Sequence, residues 1–256
     1  MSYSQHLFDL HGKTALITGA SSGLGERFAR TLSDAGARVI VSARSIKKLQ
    51  ALAAELGNAV AIQLDVSRKE AVLEAFAELE KTGEKIDICI NNAGFAANTP
   101  IFQEDNDGEF ESMIQTNLMG VWYVTKSAAI HMKRHDIRGS IINIGSVNGE
   151  GVPDKDGAAY SVSKAAVIHL TKTLVGELSP YKIRINCISP GWFKTPMNSP
   201  SIEKQIRPFI PLGSIAEPSD LDGIILYLAS HNASKYVTGA CFTVDGGISW
   251  GGKPEQ

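Results

Sequence analysis

The sequence predicts an α/β fold built on a parallel sheet with helices on both faces. Three observations carry that expectation. Short β-branched runs alternate along the chain with longer segments of helical periodicity. The early strand-like runs are apolar at almost every position, the pattern of strands covered on both faces. No internal repeat, low-complexity tract or linker interrupts the alternation, so one domain spanning 1–256 is expected.

In chain order, Lys13–Thr18 reads as the first strand, followed by a helix with Phe28, Leu32 and Ala35 on one face. Arg38–Ser42 is the second strand, and Leu49, Leu52, Ala53 and Leu56 mark the helix after it. Ala59–Leu64 is the third, followed by a stripe of Val72, Leu73, Phe76 and Leu79. Ile86–Ile90 is the fourth strand and precedes a long helical pattern around Asn117. Ser140–Ile144 and Ile183–Ile188 supply the fifth and sixth. Leu221, Ile224, Ile225 and Leu228 mark a late helix, and Cys241–Val244 a short seventh strand. Strand–helix–strand units of this kind cross over right-handed. The stretch 191–218 holds five of the ten prolines and reads as a substrate loop or lid carried on the core.

Composition narrows the function classes. Lys and Arg number 25 against 27 Asp and Glu, a net charge of −2, which gives no electrostatic case for nucleic acid or an anionic membrane. Mean hydropathy is −0.03, and no run approaches the roughly 18 apolar residues of a membrane span. Residues 1–12 lack the basic and apolar regions of a signal peptide. Cys89, Cys187 and Cys241 lie in apolar runs without a CxxC pair, which reads as buried thiols in a reducing compartment and makes the cytoplasm the expected location. His131 and His135 stand at a spacing that permits a metal, but Lys133 and Arg134 flank them, and a solvated helix face is the expectation. No metal site is expected.

The first strand runs directly into Thr18-Gly19-Ala20-Ser21-Ser22-Gly23-Leu24-Gly25. Glycines there permit a tight turn and a close backbone approach, and the following helix N-terminus offers unpaired N–H donors, a combination suited to a pyrophosphate. The spacing is G-x-x-x-G-x-G, and no Lys follows as in a Walker loop. An acidic residue that would hold an adenosine ribose belongs at the end of the second strand. There is none between Ala37 and Ile46; Arg44, Lys47 and Lys48 stand there instead. Arg forks onto a 2′-phosphate and an acid repels it, so NADP(H) is expected over NAD(H).

Tyr160 and Lys164 are four residues apart, on one face of a helix. A phenol titrates near 10, too high for proton transfer near neutrality; a fixed ammonium beside it favours the phenolate. Ser146 puts a hydroxyl at the end of the fifth strand, where ligands of open parallel sheets bind. The fourth strand ends Asn91-Asn92-Ala93-Gly94, whose small residues admit a ring. No G-x-S-x-G element supports a serine hydrolase.

Taken together, these motifs resemble the short-chain dehydrogenase/reductase family over nearly the whole chain: Thr18 to Gly25, Asp65, Asn91 to Gly94, Asn117, Ser146, Tyr160 with Lys164, and Pro190-Gly191 with Thr195. The resemblance implies a Rossmann-type doubly wound fold with a seven-stranded parallel sheet. It implies Tyr160 as general acid/base, Lys164 lowering its pKa and holding the nicotinamide ribose, Ser146 orienting the substrate oxygen, and Asn117 supporting a water on a proton path from Lys164. Gly19, Ser21, Ser22, Gly23, Leu24 and Gly25 would hold the pyrophosphate. Asp65 and Val66 would meet the adenine, while Asn91, Ala93 and Gly94 would line the adenosine and ribose channel. Pro190, Gly191 and Thr195 would fix the carboxamide. The 14 residues from Ser146 to Tyr160 are one more than is common in the family, which suggests a longer substrate-side loop from Val147 to Ala159.

Phe95, Val147, Val152, Trp192, Phe193, Met197 and Phe209 are the expected substrate-side residues. The expectation is an NADP(H)-dependent enzyme interconverting a ketone and a secondary alcohol, a small-molecule carbonyl or alcohol being its substrate. One alternative is a β-ketoacyl-carrier-protein reductase, for which Lys133, Arg134, Arg138 and Lys182 would be the basic patch. The other is an NADP(H)-binding sensor without turnover. The segment 237–247 resembles a family subunit interface, and a homotetramer is implied.

Overall fold

The computed structural model describes residues 3–152, 154–198 and 200–251. Seven strands form one sheet: β1 (Thr14–Thr18), β2 (Arg38–Ala43), β3 (Ala59–Gln63), β4 (Ile88–Asn91), β5 (Ser140–Ile144), β6 (Arg184–Pro190) and β7 (Cys241–Val244). Their order is β3-β2-β1-β4-β5-β6-β7, and every pairing is parallel. The chain direction across the sheet reverses between β1 and β4. Ligands of open α/β sheets bind at such a switch point, beyond the carboxyl ends of the strands.

The helices are α1 (Tyr3–Phe8), α2 (Gly23–Asp34), α3 (Ile46–Leu56), α4 (Lys69–Thr82), α5 (Asp107–Ile114), α6 (Gly120–Arg134), α7 (Ala158–Thr173), α8 (Val175–Leu178), α9 (Pro200–Ile206), α10 (Asp222–Ala229) and α11 (His231–Ser234). The apolar strands divide their side chains between two cores. Ala15, Ile17, Val39, Val41 and Ile90 face Phe28, Leu32, Leu49 and Ile225 of α2, α3 and α10. The alternate residues Leu16, Ile40, Cys89, Ile141 and Ile185 face Val72, Phe76, Val124 and Met132 of α4 and α6. This alternation is why the strands read as continuous apolar runs: each residue has a core on its own side.

Two sequence expectations shift. In α4 the buried stripe is Val72, Phe76 and Leu79, whereas Leu73 is 53% exposed, one helical step off the face. The proline-rich stretch is not an irregular lid throughout. Pro200 opens α9, and Pro208 and Pro218 lie in the first turns of short 3-10 helices, where a missing N–H costs nothing. Among the described residues no helix is long and apolar enough to cross a membrane.

Candidate active site

A cleft of about 380 Å³ opens above the carboxyl ends of β1, β4, β5 and β6, a size suited to a small-molecule site. Its floor on one side is the turn after β1. Gly19 has φ +68°, and a Cβ there would lie 2.7 Å from the Cα of Ala93; a Cβ on Gly25 would lie 2.4 Å from both Asn92 Nδ2 and the Gly19 carbonyl oxygen. Only glycine permits this three-way packing. Asn92 Nδ2 donates to the carbonyls of Thr18 and Gly19 at 3.0 and 3.2 Å, and Thr18 Oγ1 accepts from the N–H groups of Asn92 and Ala93. The turn is therefore held rigid from behind, and Gly19, Ser22, Gly23 and Leu24 line the cleft. Ser22, at the N-cap of α2, makes no side-chain capping bond. The first-turn N–H groups of α2 thus remain available to an anion. A dinucleotide pyrophosphate matches this cradle in size and charge.

The other side of the cleft is chemical. Ser146, Tyr160 and Lys164 all line it, with Ala93, Gly94, Pro190, Gly191, Trp192, Phe193, Thr195 and Met197. Ser146 follows β5 and caps the 3-10 turn Val147–Glu150: its hydroxyl accepts from Asn148 N–H at 3.2 Å and donates to Asn148 Oδ1 at 3.0 Å. Tyr160, in the first turn of α7, is half-buried and lines the cleft with Ser146. Lys164, one turn on, is 5% exposed, and its Nζ donates to the Ile144 carbonyl at 2.8 Å and lies 5.7 Å from the Tyr160 ring centre.

Burial dominates the electrostatics of the pair. Burial raises the Tyr160 phenol above its ordinary value, against the opposing pull of the nearby Ser146 hydroxyl, and the charge of Asp154 adds to the rise. The Lys164 ammonium is turned onto the Ile144 carbonyl, 5.7 Å from the Tyr160 ring centre. Burial also brings the Lys164 ammonium down to about 8. The phenol is held protonated, ready to donate.

Several sequence-named residues stand elsewhere. Asn91 does not line a channel: it is buried, and its Nδ2 donates to Thr125 Oγ1 and Asn143 Oδ1, both at 2.8 Å. Its neighbour Asn92, which the reading passed over, faces the cleft. The amide of Asn117 is spent on the Phe95 N–H (3.0 Å), the Phe95 carbonyl (2.9 Å) and Ser163 Oγ (3.2 Å). It sits in a single π-helical turn, Gln115–Met119, between α5 and α6, the kind of bulge that often marks functional sites.

Asp65, beyond β3, accepts from the Ser67 N–H and hydroxyl at 3.0 and 2.7 Å, and Val66 packs on Gly120. Both lie outside the cleft lining, as do Ser21, Gly25, Phe95, Val147, Val152 and Phe209. Arg44 is exposed just past β2, its carbonyl accepting from Gln63. Asn98, Asn148, Asp154 and Asn198 line the cleft although the sequence reading did not single them out. For Asn148, Asp154 and Asn198 the available signal was their place in the loops 147–159 and 191–218, already marked as substrate-side.

The basic residues considered for a carrier protein are not at the cleft. Arg134 pairs with Glu80 at 2.9 Å, and the Lys133 ammonium stands 4.2 Å from the Tyr181 ring centre. Nor is His131 on a solvated face: it is 2% exposed. Its Nε2 accepts from the Ile86 N–H at 3.1 Å, so Nδ1 carries the proton and donates to Glu80 Oε1 at 2.9 Å; His135 Nε2 meets Glu80 Oε2 at 2.8 Å. The ligand atoms of the three residues lie within 4.8 Å of one another. Both nitrogens of His131 are already spent, however, and Arg134 adds positive charge. The cluster is a clamp that binds α6 to α4.

Known proteins place the chain. A family model described as enoyl-(acyl carrier protein) reductase matches residues 19–249. Oxidoreductase UcpA of Salmonella typhimurium is 38% identical, the match covering 93% of this chain and 95% of that protein. A short-chain type dehydrogenase/reductase of Mycobacterium marinum superposes with a TM-score of 0.91 at 37% identity, covering 95% of this chain and 98% of that one. A gluconate 5-dehydrogenase of Burkholderia cenocepacia, solved with NADP and tartrate, superposes at 0.89 with 32% identity, covering 96% and 99%. With its parallel seven-stranded sheet, its glycine turn at the switch point and its Ser–Tyr–Lys cleft, this chain belongs to the short-chain dehydrogenase/reductase family of oxidoreductases.

Proposed function

We propose that the protein interconverts a ketone and a secondary alcohol with NADP(H). The observation that carries the reading is the convergence of Ser146, Tyr160 and Lys164 on the cleft that also holds the glycine turn and the free N-terminus of α2. Gly19, Ser22, Gly23 and Leu24 would hold the pyrophosphate, and Lys164, Pro190, Gly191 and Thr195 the nicotinamide riboside. Bound there, the nicotinamide supplies or accepts the hydride.

Ser146 and Tyr160 share the substrate oxygen through their hydroxyls. In reduction, Tyr160 Oη donates its proton to that oxygen as negative charge develops on it. Its raised pKa keeps the proton in place until then. Lys164 supplies a positive charge one helical turn away, which stabilises the phenolate left behind. Trp192, Phe193 and Met197 line the same cleft with apolar surface.

Arg44, exposed past β2 with no acidic residue from 37 to 46, supports NADP(H) through its reach toward a 2′-phosphate. The NADP in the Burkholderia relative points the same way. Arg44→Asp is expected to lower the NADPH-over-NADH ratio of kcat/KM by about tenfold or more; an unchanged ratio refutes the cofactor assignment. Screening ketones and alcohols at the reduced nicotinamide band with both cofactors tests the activity itself. A homotetramer belongs to the same reading. Its support is an apolar hollow of about 310 Å³ lined by Trp122, Ile130, Leu174 and Tyr181 on α6 and beyond α7. Light scattering that gives a monomer argues against it.

A further inference from the structure

Asp154 is the only anion among the described residues that line the cleft, and Lys164 the only cation. Lys164 is buried and bonded to a carbonyl. Asp154 is solvent-facing, and among the described residues no donor or cation lies within bonding distance of its carboxylate. Gly157 leaves it room: a Cβ there would lie 2.2 Å from Asp154 Oδ2. Gly157 is also the N-cap of α7, so the carboxylate sits at the base of the helix that carries Tyr160. Asp154 is close enough for its charge to act on the phenol, and partial burial with the charge of Asp156 raises its own carboxyl. A donor presented by a ligand relieves that penalty; a second carboxylate increases it.

The rest of this wall is made of amides. Asn98, Asn148 and Asn198 line the same cleft, each able to both donate to and accept from a hydroxyl. No guanidinium or free ammonium among the described lining residues is placed to meet a substrate carboxylate.

We propose that Asp154 selects the substrate: its carboxylate accepts a hydrogen bond from a hydroxyl carried near the reacting carbon and turns away carboxylate-bearing substrates, so that the enzyme acts on neutral hydroxyketones and polyols. The inference rests on the oxidoreductase reading above and adds the substrate class.

The test uses two matched pairs of ketones differing in a hydroxymethyl group or a carboxylate: L-sorbose against 5-keto-D-gluconate, and 4-hydroxy-2-butanone against acetoacetate. The wild type is expected to favour the hydroxymethyl member of each pair by about tenfold or more in kcat/KM. Asp154→Asn is expected to bring the ratio to within roughly threefold of unity, and Asp154→Lys to invert it. Thermal unfolding of each variant near the wild-type midpoint shows that the fold is intact. A wild type that prefers the carboxylates, or a ratio unmoved by both substitutions, overturns the proposal. So does a wild type that reduces other ketones but none of these four. Reduction of no ketone with either cofactor instead brings down the oxidoreductase reading, and the substrate proposal with it.

Discussion

Two helices of this protein each carry a pair of chemically capable residues one turn apart. On α7 the pair is Tyr160 and Lys164; on α6 it is His131 and His135. In the sequence the two pairs look alike, since four-residue spacing only says that both side chains share a face. In the fold they have opposite fates. The α6 pair closes on Glu80, and His131 spends its second nitrogen on the Ile86 N–H. The α7 pair faces a cleft that Ser146 also lines, and no side-chain hydrogen bond within the described residues ties up the Tyr160 hydroxyl. Polar groups saturated by the protein hold it together, and those left under-satisfied beside a cavity remain free to meet a ligand.

The sharpest way to break this comparison is Tyr160→Phe. It removes the proton donor and leaves the ring, so turnover should fall by roughly 10²–10⁴-fold while dinucleotide binding, followed by fluorescence quenching, persists. Undiminished turnover would mean that the α7 pair is as inert as the α6 pair.

Lys164→Met should separate function from stability. Its turnover should drop by roughly 10²-fold or more. Yet burial of the ammonium, which brings it from 10.5 to about 8, costs the folded state about 3 kcal/mol at neutral pH. Below pH 8 both states carry the proton and the cost is complete. Between 8 and 10.5 the folded state sheds it first and the cost fades. Allowing for the lost bond to Ile144, the variant should be more stable than wild type by about 1–2 kcal/mol at pH 7, with the gap closing by pH 10.5. Denaturant titrations at the two pH values check it; a destabilised variant would show that this lysine serves structure.

Glu80→Gln should do the reverse on α6. It strips the charge that accepts from His131, Arg134 and His135, so stability should fall by about 1–3 kcal/mol at pH 7 while turnover is kept. The hydrogen bonds from the histidines hold the Glu80 carboxyl down at about 2. Its stabilisation is complete above pH 4.5 and is lost as pH falls through about 2, so the variant's deficit should shrink over that window. Lost turnover with intact stability would overturn the clamp.

Much of the fold was legible because its signals are local. β-Branched runs mark the strands, each within a few residues of its observed ends, and the helical stripes mark α2, α3, α4 and α10. The glycine turn was legible because the conformation of Gly19 and the crowding at Gly25 demand those residues wherever the turn is used. Less legible were choices between neighbours. Asn91 and Asn92 are the same residue type side by side, and strand alternation turns one into the core beside Thr125 and the other into the cleft. Asp154 lay in a loop whose sequence has no periodicity to interpret.

The sequence by itself determined the α/β alternation and the presence of a glycine turn, a hydroxyl and a Tyr–Lys pair at the ends of successive strands, because backbone preference and side-chain period act over a few residues. Only the tertiary structure decided which polar groups are spent and which are free. Glu80 reaches His131 across 51 residues and Asn117 reaches Phe95 across 22. Whether a side chain is satisfied depends on partners that the chain brings together only when the sheet and its helices have packed.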